Sequence, residues 1–196
     1  DWDAEAAEKA GYEHFMMKEI HEQPRAVKDT LNSVLKDGKI DLTDIGLAEE
    51  DIRRTSQIYI VACGSAYHVG MVAQYVIEDL VKIPVRVELA SEFRYRKPIL
   101  DPNGLVIIIS QSGETADSLA ALRETKAQGI RTLGIVNVVG SSIAREADKV
   151  FYTLAGPEIS VATTKAYSTQ LMASYILAIQ FAKVKNTITE EQYENY

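Results

Sequence analysis

The stretch LVIIISQSGET, from Leu105 to Thr115, decides the fold class of this chain. Five apolar residues run without a break into a group of hydroxyls and amides, after which a helical pattern begins. An unbroken apolar run is typical of a strand buried on both faces, as in a parallel α/β sheet. The polar residues would then lie at the carboxyl end of that strand, where such folds bind their ligands.

The polar part of the stretch predicts a site for a phosphate ester. A phosphate needs several donors, and the following helix would add free N–H groups and the positive end of its dipole. The side-chain donors would be Ser110, Gln111, Ser112 and Thr115. The alternative is structural, because Ser112 and Thr115 are also residue types that cap helices. The spacing does not fit a nucleoside triphosphate loop, which ends in Gly-Lys-Ser/Thr.

Strand and helix patterns alternate along the chain, which predicts a mainly parallel sheet covered by helices. The longest helix is expected last, at about residues 165–185. The strands are expected at residues 58–62, 85–89, 105–110, 131–137 and 149–154.

The segments outside this unit have different patterns. Residues 11–36 have helical apolar spacing, and Pro24 is expected to divide them into two helices. The chain starts at Asp1 without an initiator Met, which indicates a piece of a longer protein. The expected divisions are a connector at 1–10, a helical segment at 11–56, the α/β domain at 57–186 and a polar tail at 187–196, which either frays or begins the connection to a missing part.

The composition excludes several classes of function. A net charge of −7 argues against nucleic acid as the main partner. Cys63 is the only cysteine, so no intramolecular disulfide can form, and a cytoplasmic location fits best. The apolar stretch 171–182 is too short to span a bilayer and is expected in the core or at a subunit interface. The three histidines lack the spacing of metal ligands.

Two further segments are expected to line the same site. In the turn after the first strand, Gly64 lets a ligand approach closely and Ser65 can donate a hydrogen bond. Cys63 with His68 could form a nucleophile and base, but a buried cysteine at a strand end is usually inert. The loop 158–164 either lines the pocket or merely caps the last helix. Lys165 in the first turn of that helix opposes its dipole, which indicates a bound anion or a pair with Glu158.

Five segments carry a resemblance to a known family: ACGSAYHVG, ASEFRYRK, SQSGET, GSSIARE and EISVATTKAY. Together with the N-terminal DWDAEAAEKAGYEHFMMKEIHEQP, they make the chain similar to the glutamine–fructose-6-phosphate aminotransferases, also called glucosamine-6-phosphate synthases. The matched part is the first half of the isomerase region, a sugar isomerase (SIS) domain. SQSGET alone marks SIS domains in general, whereas ASEFRYR with the N-terminal stretch is specific to this enzyme family.

The resemblance implies a flavodoxin-like, three-layer α/β/α fold with a five-stranded parallel sheet. The complete enzyme transfers ammonia from glutamine to fructose 6-phosphate and isomerises the product to glucosamine 6-phosphate. The resemblance further implies a homodimer, no cofactor, and a parent chain with a glutaminase domain and a second SIS half. The catalytic glutamate, histidine and lysine would belong to that second half, so this chain would contain no catalytic residues and no metal site.

The resemblance also assigns roles to residues of this chain. The phosphate would be bound by the 110–115 loop and by Ser65, which matches a threonine of the family. Gly64, Val161 and Thr163 would contact the sugar. Ala66 stands where the family commonly has a serine, so one donor is missing. The rival interpretations are a non-enzymatic SIS-type sugar-phosphate sensor and a nucleotide-binding flavodoxin-like domain.

Overall fold

The computed structural model describes residue 4 and residues 8–196, so most of the expected connector lies outside the described residues. The strands are β1 (Leu35–Lys36), β2 (Lys39–Ile40), β3 (Gln57–Ala62), β4 (Val85–Leu89), β5 (Gly104–Ser110), β6 (Arg131–Val136) and β7 (Lys149–Tyr152). The helices are α1 (Phe15–Asn32), α2 (Glu49–Arg54), α3 (Gly64–Val81), α4 (Ala90–Arg96), α5 (Ala116–Ala127), α6 (Ser142–Glu146), α7 (Lys165–Val184) and α8 (Glu190–Asn195).

The main sheet has five parallel strands in the order β4-β3-β5-β6-β7, while β1 and β2 form a separate antiparallel hairpin. In the register, Ile60 lies between Val87 of β4 and Ile107 of β5. Helices cover both faces of the main sheet, so the predicted three-layer α/β/α fold is confirmed.

The two faces of the sheet bury alternate residues of each strand. On one face, Ile107 and Ile109 of β5 pack with α3 and α7. On the other face, Val106 and Ile108 pack with α4, α5 and α6. All seven residues of β5 are buried, as expected for the central strand of a doubly covered sheet.

Helix α1 contradicts the prediction of two helices, since it continues through Pro24. A proline removes the N–H that would bond to the carbonyl four residues earlier, which here is Ile20. The Gln23 side chain donates to the Ile20 carbonyl instead, at 3.2 Å. The lost bond is therefore replaced locally, and packing of α1 against α7 holds the helix together.

The C-terminal tail does not fray, so that alternative was wrong: the tail forms α8. Thr189 and Gln192 make a reciprocal capping box at its start. The hydroxyl of the buried Tyr193 accepts a hydrogen bond from the Ile40 N–H at 2.7 Å, which ties α8 to the β1–β2 hairpin.

Helix α7 confirms the core alternative for the buried side of the apolar stretch 171–182. That side packs against α1 and α3, while the partly buried Met172, Tyr175 and Ile179 border an open apolar groove, so the interface alternative stays a prediction. Among the described residues, no helix combines the length and apolar character needed to cross a membrane.

Gly70 allows α3 to approach the sheet closely. A Cβ at this position would come within 2.9 Å of the Ile60 and Val87 side chains. We expect Gly70→Ala to lower the free energy of unfolding by about 1–3 kcal/mol through overpacking, although alanine favours helix. Chemical denaturation would measure this, with the exposed Met71→Ala as a control. A gain in stability would contradict the close approach.

Candidate functional site

The strand order creates a crevice at the carboxyl ends of β3 and β5. Cys63 follows β3 and is the N-cap of α3, which packs on one face of the sheet. Thr115 is the N-cap of α5, which packs on the other face. A pocket of about 270 Å³ lies at this point. It is lined by Cys63, Ser65, Ala66, Ile109, Ser110, Gln111, Ser112, Thr115, Glu158, Ser160, Val161, Thr163 and Gln170.

Internal hydrogen bonds shape the 110–115 loop. The Ser110 hydroxyl accepts from the Gly113 N–H at 3.1 Å and lies 3.0 Å from the Thr115 hydroxyl. The Ser112 hydroxyl accepts from the Glu114 N–H at 3.2 Å, which leaves its own proton available to a ligand. Thr115 occupies the N-cap position of α5 but makes no side-chain cap bond. Its hydroxyl therefore serves the loop and the pocket, not the helix.

Backbone contacts fix the loop against β6 and α6. The Gln111 carbonyl accepts from the Asn137 N–H at 3.1 Å, and the Gly113 carbonyl accepts from the Ile143 N–H at 3.0 Å. Gly113 has φ +67°, and a Cβ there would lie 2.0 Å from the Ser141 hydroxyl oxygen. Only glycine allows this backbone conformation and this approach together.

Glu114, also in this loop, binds the start of α6. Its Oε1 accepts from the Ser142 N–H at 2.7 Å. The Ser142 hydroxyl, and then this N–H, hold the pKa of the Glu114 carboxyl below its ordinary value because they favour the ionised form.

The pocket is uncharged apart from one carboxylate that is already engaged. Its lining, as far as residue 4 and residues 8–196 supply it, contains no lysine or arginine. Glu158 accepts from the Thr164 N–H at 2.7 Å and from the Ala166 N–H at 2.8 Å, so it caps α7. The suggested Lys165–Glu158 pair is wrong, because the buried Lys165 ammonium lies 2.6 Å from Glu22 of α1.

The structure brings together most of the predicted site residues. Ser65, Val161 and Thr163 line the same pocket as the 110–115 loop, and so does Ala66. Gly64 is not in the lining but begins α3 with φ +57°.

The suggested Cys63–His68 pair is not formed. The Cys63 sulfur lies 3.9 Å from the Ser118 hydroxyl, and His68 does not line the pocket. No cluster of three or more His, Cys, Asp or Glu side chains suited to a metal ion occurs in the part of the chain that the structure describes.

Sequence reasoning missed Gln170 and Ser160. Gln170 lies on α7, is 4% exposed and lines the pocket. Its side chain has no hydrogen-bond partner among residues 8–196, so its amide is available to a ligand. The sequence does not single Gln170 out, because the buried side of the same helix also carries Thr169, Ser174 and Gln180.

A larger groove of about 1080 Å³ lies elsewhere, between the β1–β2 hairpin, α3, α7 and α8. Its lining is mainly apolar, including Leu31, Met172 and Tyr193, and contains none of the predicted site residues. The small polar pocket is therefore the candidate site.

Comparison with known proteins shows the family to which this chain belongs. A family model described as SIS domain matches residues 51–180. The chain belongs to the SIS domain family. This SIS domain is similar to a solved structure described as the C-terminal domain of glucosamine-fructose-6-phosphate aminotransferase from Francisella tularensis. The TM-score is 0.92 and the identity 48%, over 96% of this chain and 53% of that one.

Named relatives support the more specific resemblance. The chain is 59% identical over 194 residues to the glutamine–fructose-6-phosphate aminotransferase (isomerizing) of Clostridium tetani, which covers 98% of this chain. It is 60% identical over 195 residues to that of Clostridium acetobutylicum, over 99% of this chain. The chain spans 32% of the length of each of these relatives. The resemblance to this enzyme family is thus confirmed across the whole chain.

The packing of Gly113 against Ser141 yields a testable expectation. Gly113→Ala would place a side chain in the left-handed region and force it into the Ser141 hydroxyl. The matched control is Gly129→Ala, because Gly129 has φ +72° with nothing within 4 Å of its Cβ. We expect the control to lose about 1–2 kcal/mol of unfolding free energy from backbone strain alone. Gly113→Ala should lose at least about 1 kcal/mol more through the clash. Equal losses in chemical denaturation would contradict the close contact.

The Glu114 contact predicts a pH dependence. A carboxyl whose folded pKa is depressed stabilises the fold above its unfolded pKa, and this contribution is lost as pH falls through the folded pKa. Glu114→Gln should therefore be less stable than wild type at neutral pH, and the difference should vanish in acid. Thermal unfolding at a series of pH values would measure it, with the exposed Glu78→Gln as control. A difference that does not change with pH would exclude this role.

Proposed function

We propose that this chain is the first isomerase half of a glutamine–fructose-6-phosphate aminotransferase. In this role it holds the phosphate and part of the sugar of fructose 6-phosphate and of glucosamine 6-phosphate. The observation that carries the proposal is the convergence of Ser65, Ser112 and Thr115 in one pocket at the N-termini of α3 and α5. The high identity to named aminotransferases supports the choice of substrate.

The phosphate would be held by neutral donors and two helix dipoles. Ser112 and Thr115 would donate their hydroxyl protons, Gln111 its amide, and Ser65 a further hydroxyl from α3. The first turns of α3 and α5 would add unpaired N–H groups. Oriented neutral donors suffice for an anion, because each hydrogen bond to a charged group contributes about 1.5–3 kcal/mol.

The sugar would lie toward the 158–164 loop and α7. Val161 and Thr163 would contact it from the loop, and Gly64 would let the α3 backbone approach it closely. The Gln170 amide is a further donor at the same pocket. Ala66 supplies no hydroxyl, so a backbone group or a water molecule would take over that contact.

The chain would bind the substrate without transforming it. Moving a proton between C1 and C2 of an open-chain sugar requires a positioned base. Among the residues that the structure describes, Glu158 is the only carboxylate of the pocket, and its oxygens already accept two N–H groups at the start of α7. This supports placing the reacting groups in a second isomerase half and the ammonia source in a glutaminase domain of the same parent chain.

The proposal includes a division of the chain and an assembly. Residues 1–10 would be an interdomain linker, 11–56 an N-terminal helical segment and 57–186 the SIS domain. Residues 187–196 would begin the connection to the second isomerase half. The parent protein would form a homodimer.

A thermal-shift titration with glucosamine 6-phosphate tests the proposed site. A ligand present at about 100 times its dissociation constant stabilises a protein by about 2.7 kcal/mol. We expect such a shift for the wild-type chain and its loss in the double variant Ser112→Ala, Thr115→Ala. Glucosamine and inorganic phosphate are the ligand controls, and Ser56→Ala, outside the pocket, is the variant control.

Each result has a defined meaning. An equal shift in the double variant would exclude the 110–115 loop as the phosphate site. The absence of any shift in wild type would contradict binding by this half alone. In the full-length parent, Ser112→Ala should reduce glucosamine 6-phosphate formation from glutamine and fructose 6-phosphate. A parent that binds the sugar phosphate but lacks this activity would favour the sensor interpretation.

A further inference from the structure

Helix α1 reaches the wall of the pocket through two carboxylates, of which Glu19 is buried and Glu22 is partly exposed. Glu19 is 2% exposed, and its Oε1 accepts the N–H groups of Ile159 at 2.6 Å and Ser160 at 3.3 Å. One turn further along α1, Glu22 pairs with Lys165, which is 1% exposed. Both contacts end on the segment that runs from the pocket wall into α7.

These contacts are strong because they are buried and charge-assisted. A carboxylate removed from water is costly unless hydrogen bonds compensate it, and bonds from backbone N–H groups to an ionised oxygen are among the strongest in proteins. The loop between β7 and α7 has no regular structure to pair its own N–H groups. Glu19 supplies the missing acceptor for two of them.

The two N–H groups of the loop are the contacts that explain a buried charge on Glu19. Its second oxygen, Oε2, is buried and lacks a hydrogen-bond partner among residues 8–196. A residue that served only the stability of α1 would not need a buried charge, since an apolar side chain would fill this space at lower cost. The two loop N–H groups therefore account for the carboxylate.

The loop that Glu19 holds is one wall of the candidate site. Ser160, Val161 and Thr163 line the pocket from this loop. Glu158 fixes the end of the loop next to α7, and Glu19 fixes its middle. The 110–115 loop is held separately, by β6 and α6. Asn137 contacts both the 110–115 loop and residues 155–156, whereas the hydrogen bonds of Glu19 among residues 8–196 go to the 158–164 wall.

We infer that Glu19 and Glu22 of α1 are positioning residues of the sugar-phosphate pocket. They hold the 158–164 wall in place for the sugar, although α1 lies outside residues 51–180, which match the SIS domain model. This inference rests on the proposed function. It assigns to α1 a part of the site that the SIS domain alone does not contain.

Because the Glu19 contacts lie on one of the two walls, the inference predicts that binding of two ligands is affected differently. Loss of the Glu19 charge should loosen the wall that contacts the sugar but leave the phosphate loop intact. Affinity for glucosamine 6-phosphate should therefore fall, whereas affinity for inorganic phosphate should not. A purely structural role would lower both in proportion to the unfolded fraction, so the ratio of the two affinities isolates the positioning effect.

The test is isothermal titration of both ligands into wild type and Glu19→Gln, well below the melting temperature. We expect glucosamine 6-phosphate to bind about tenfold more weakly to the variant, with phosphate affinity unchanged. The matched control is Asp29→Asn, the same change at an exposed position of α1. Amide hydrogen exchange at Ile159 and Ser160 should also accelerate in Glu19→Gln but not in the control.

The outcomes separate this inference from the proposed function. The positioning role is overturned if Glu19→Gln binds glucosamine 6-phosphate with wild-type affinity. It is also overturned if the affinities for both ligands fall equally. Neither result contradicts the proposed function. A wild-type chain that binds no sugar phosphate overturns both. If Glu19→Gln does not fold, Glu19→Asp keeps the charge but shortens its reach. It should show the same selective loss to a smaller degree, and an unchanged affinity ratio would again overturn the inference.

Discussion

The position of β3 between β4 and β5 is the constraint on which the pocket depends. The chain leaves β3 into α3 on one face of the sheet and leaves β5 into α5 on the other face. Because the two helices diverge from adjacent strand ends, their first turns leave a crevice that no side chain of the sheet fills. Both sets of unpaired helix N–H groups border it. The polar residues after β3 and β5 therefore lie in one site, although they are far apart in the chain.

This geometry allows an anion site in a chain whose net charge is −7. A lysine or arginine in the pocket would attract phosphate from any source. Neutral hydroxyls, amides and helix dipoles would bind phosphate only where the donors converge, so in the proposed role the shape of the pocket would determine the ligand. Gly113 is essential to this convergence, because its close contact with Ser141 keeps the loop tight against α6.

The sequence predicted those features that depend on local pattern. The unbroken apolar run of β5 indicated a doubly covered parallel strand, and the polar residues after it were expected at the carboxyl end of the sheet, where the pocket lies. Two local signals were misjudged: Gln23 compensates for Pro24 within α1, and Thr189 with Gln192 forms a capping box in the supposedly fraying tail. Contacts such as that between Glu19 and Ile159, 140 positions apart, have no local pattern at all. They follow only from the packing of α1 on α7.

The charged groups around the pocket explain why this half would hold a substrate without reacting with it. Glu158 is committed to the start of α7, Glu19 to the pocket wall and Glu22 to Lys165. Each of these groups fixes backbone or another charge, so none of them is free to act as a base on a ligand. A ligand in this pocket would therefore meet neutral donors. A proton transfer on the sugar would require a base from outside this pocket. In the proposed enzyme, one half would therefore bind the substrate and the other half would supply the reacting groups of the same active site.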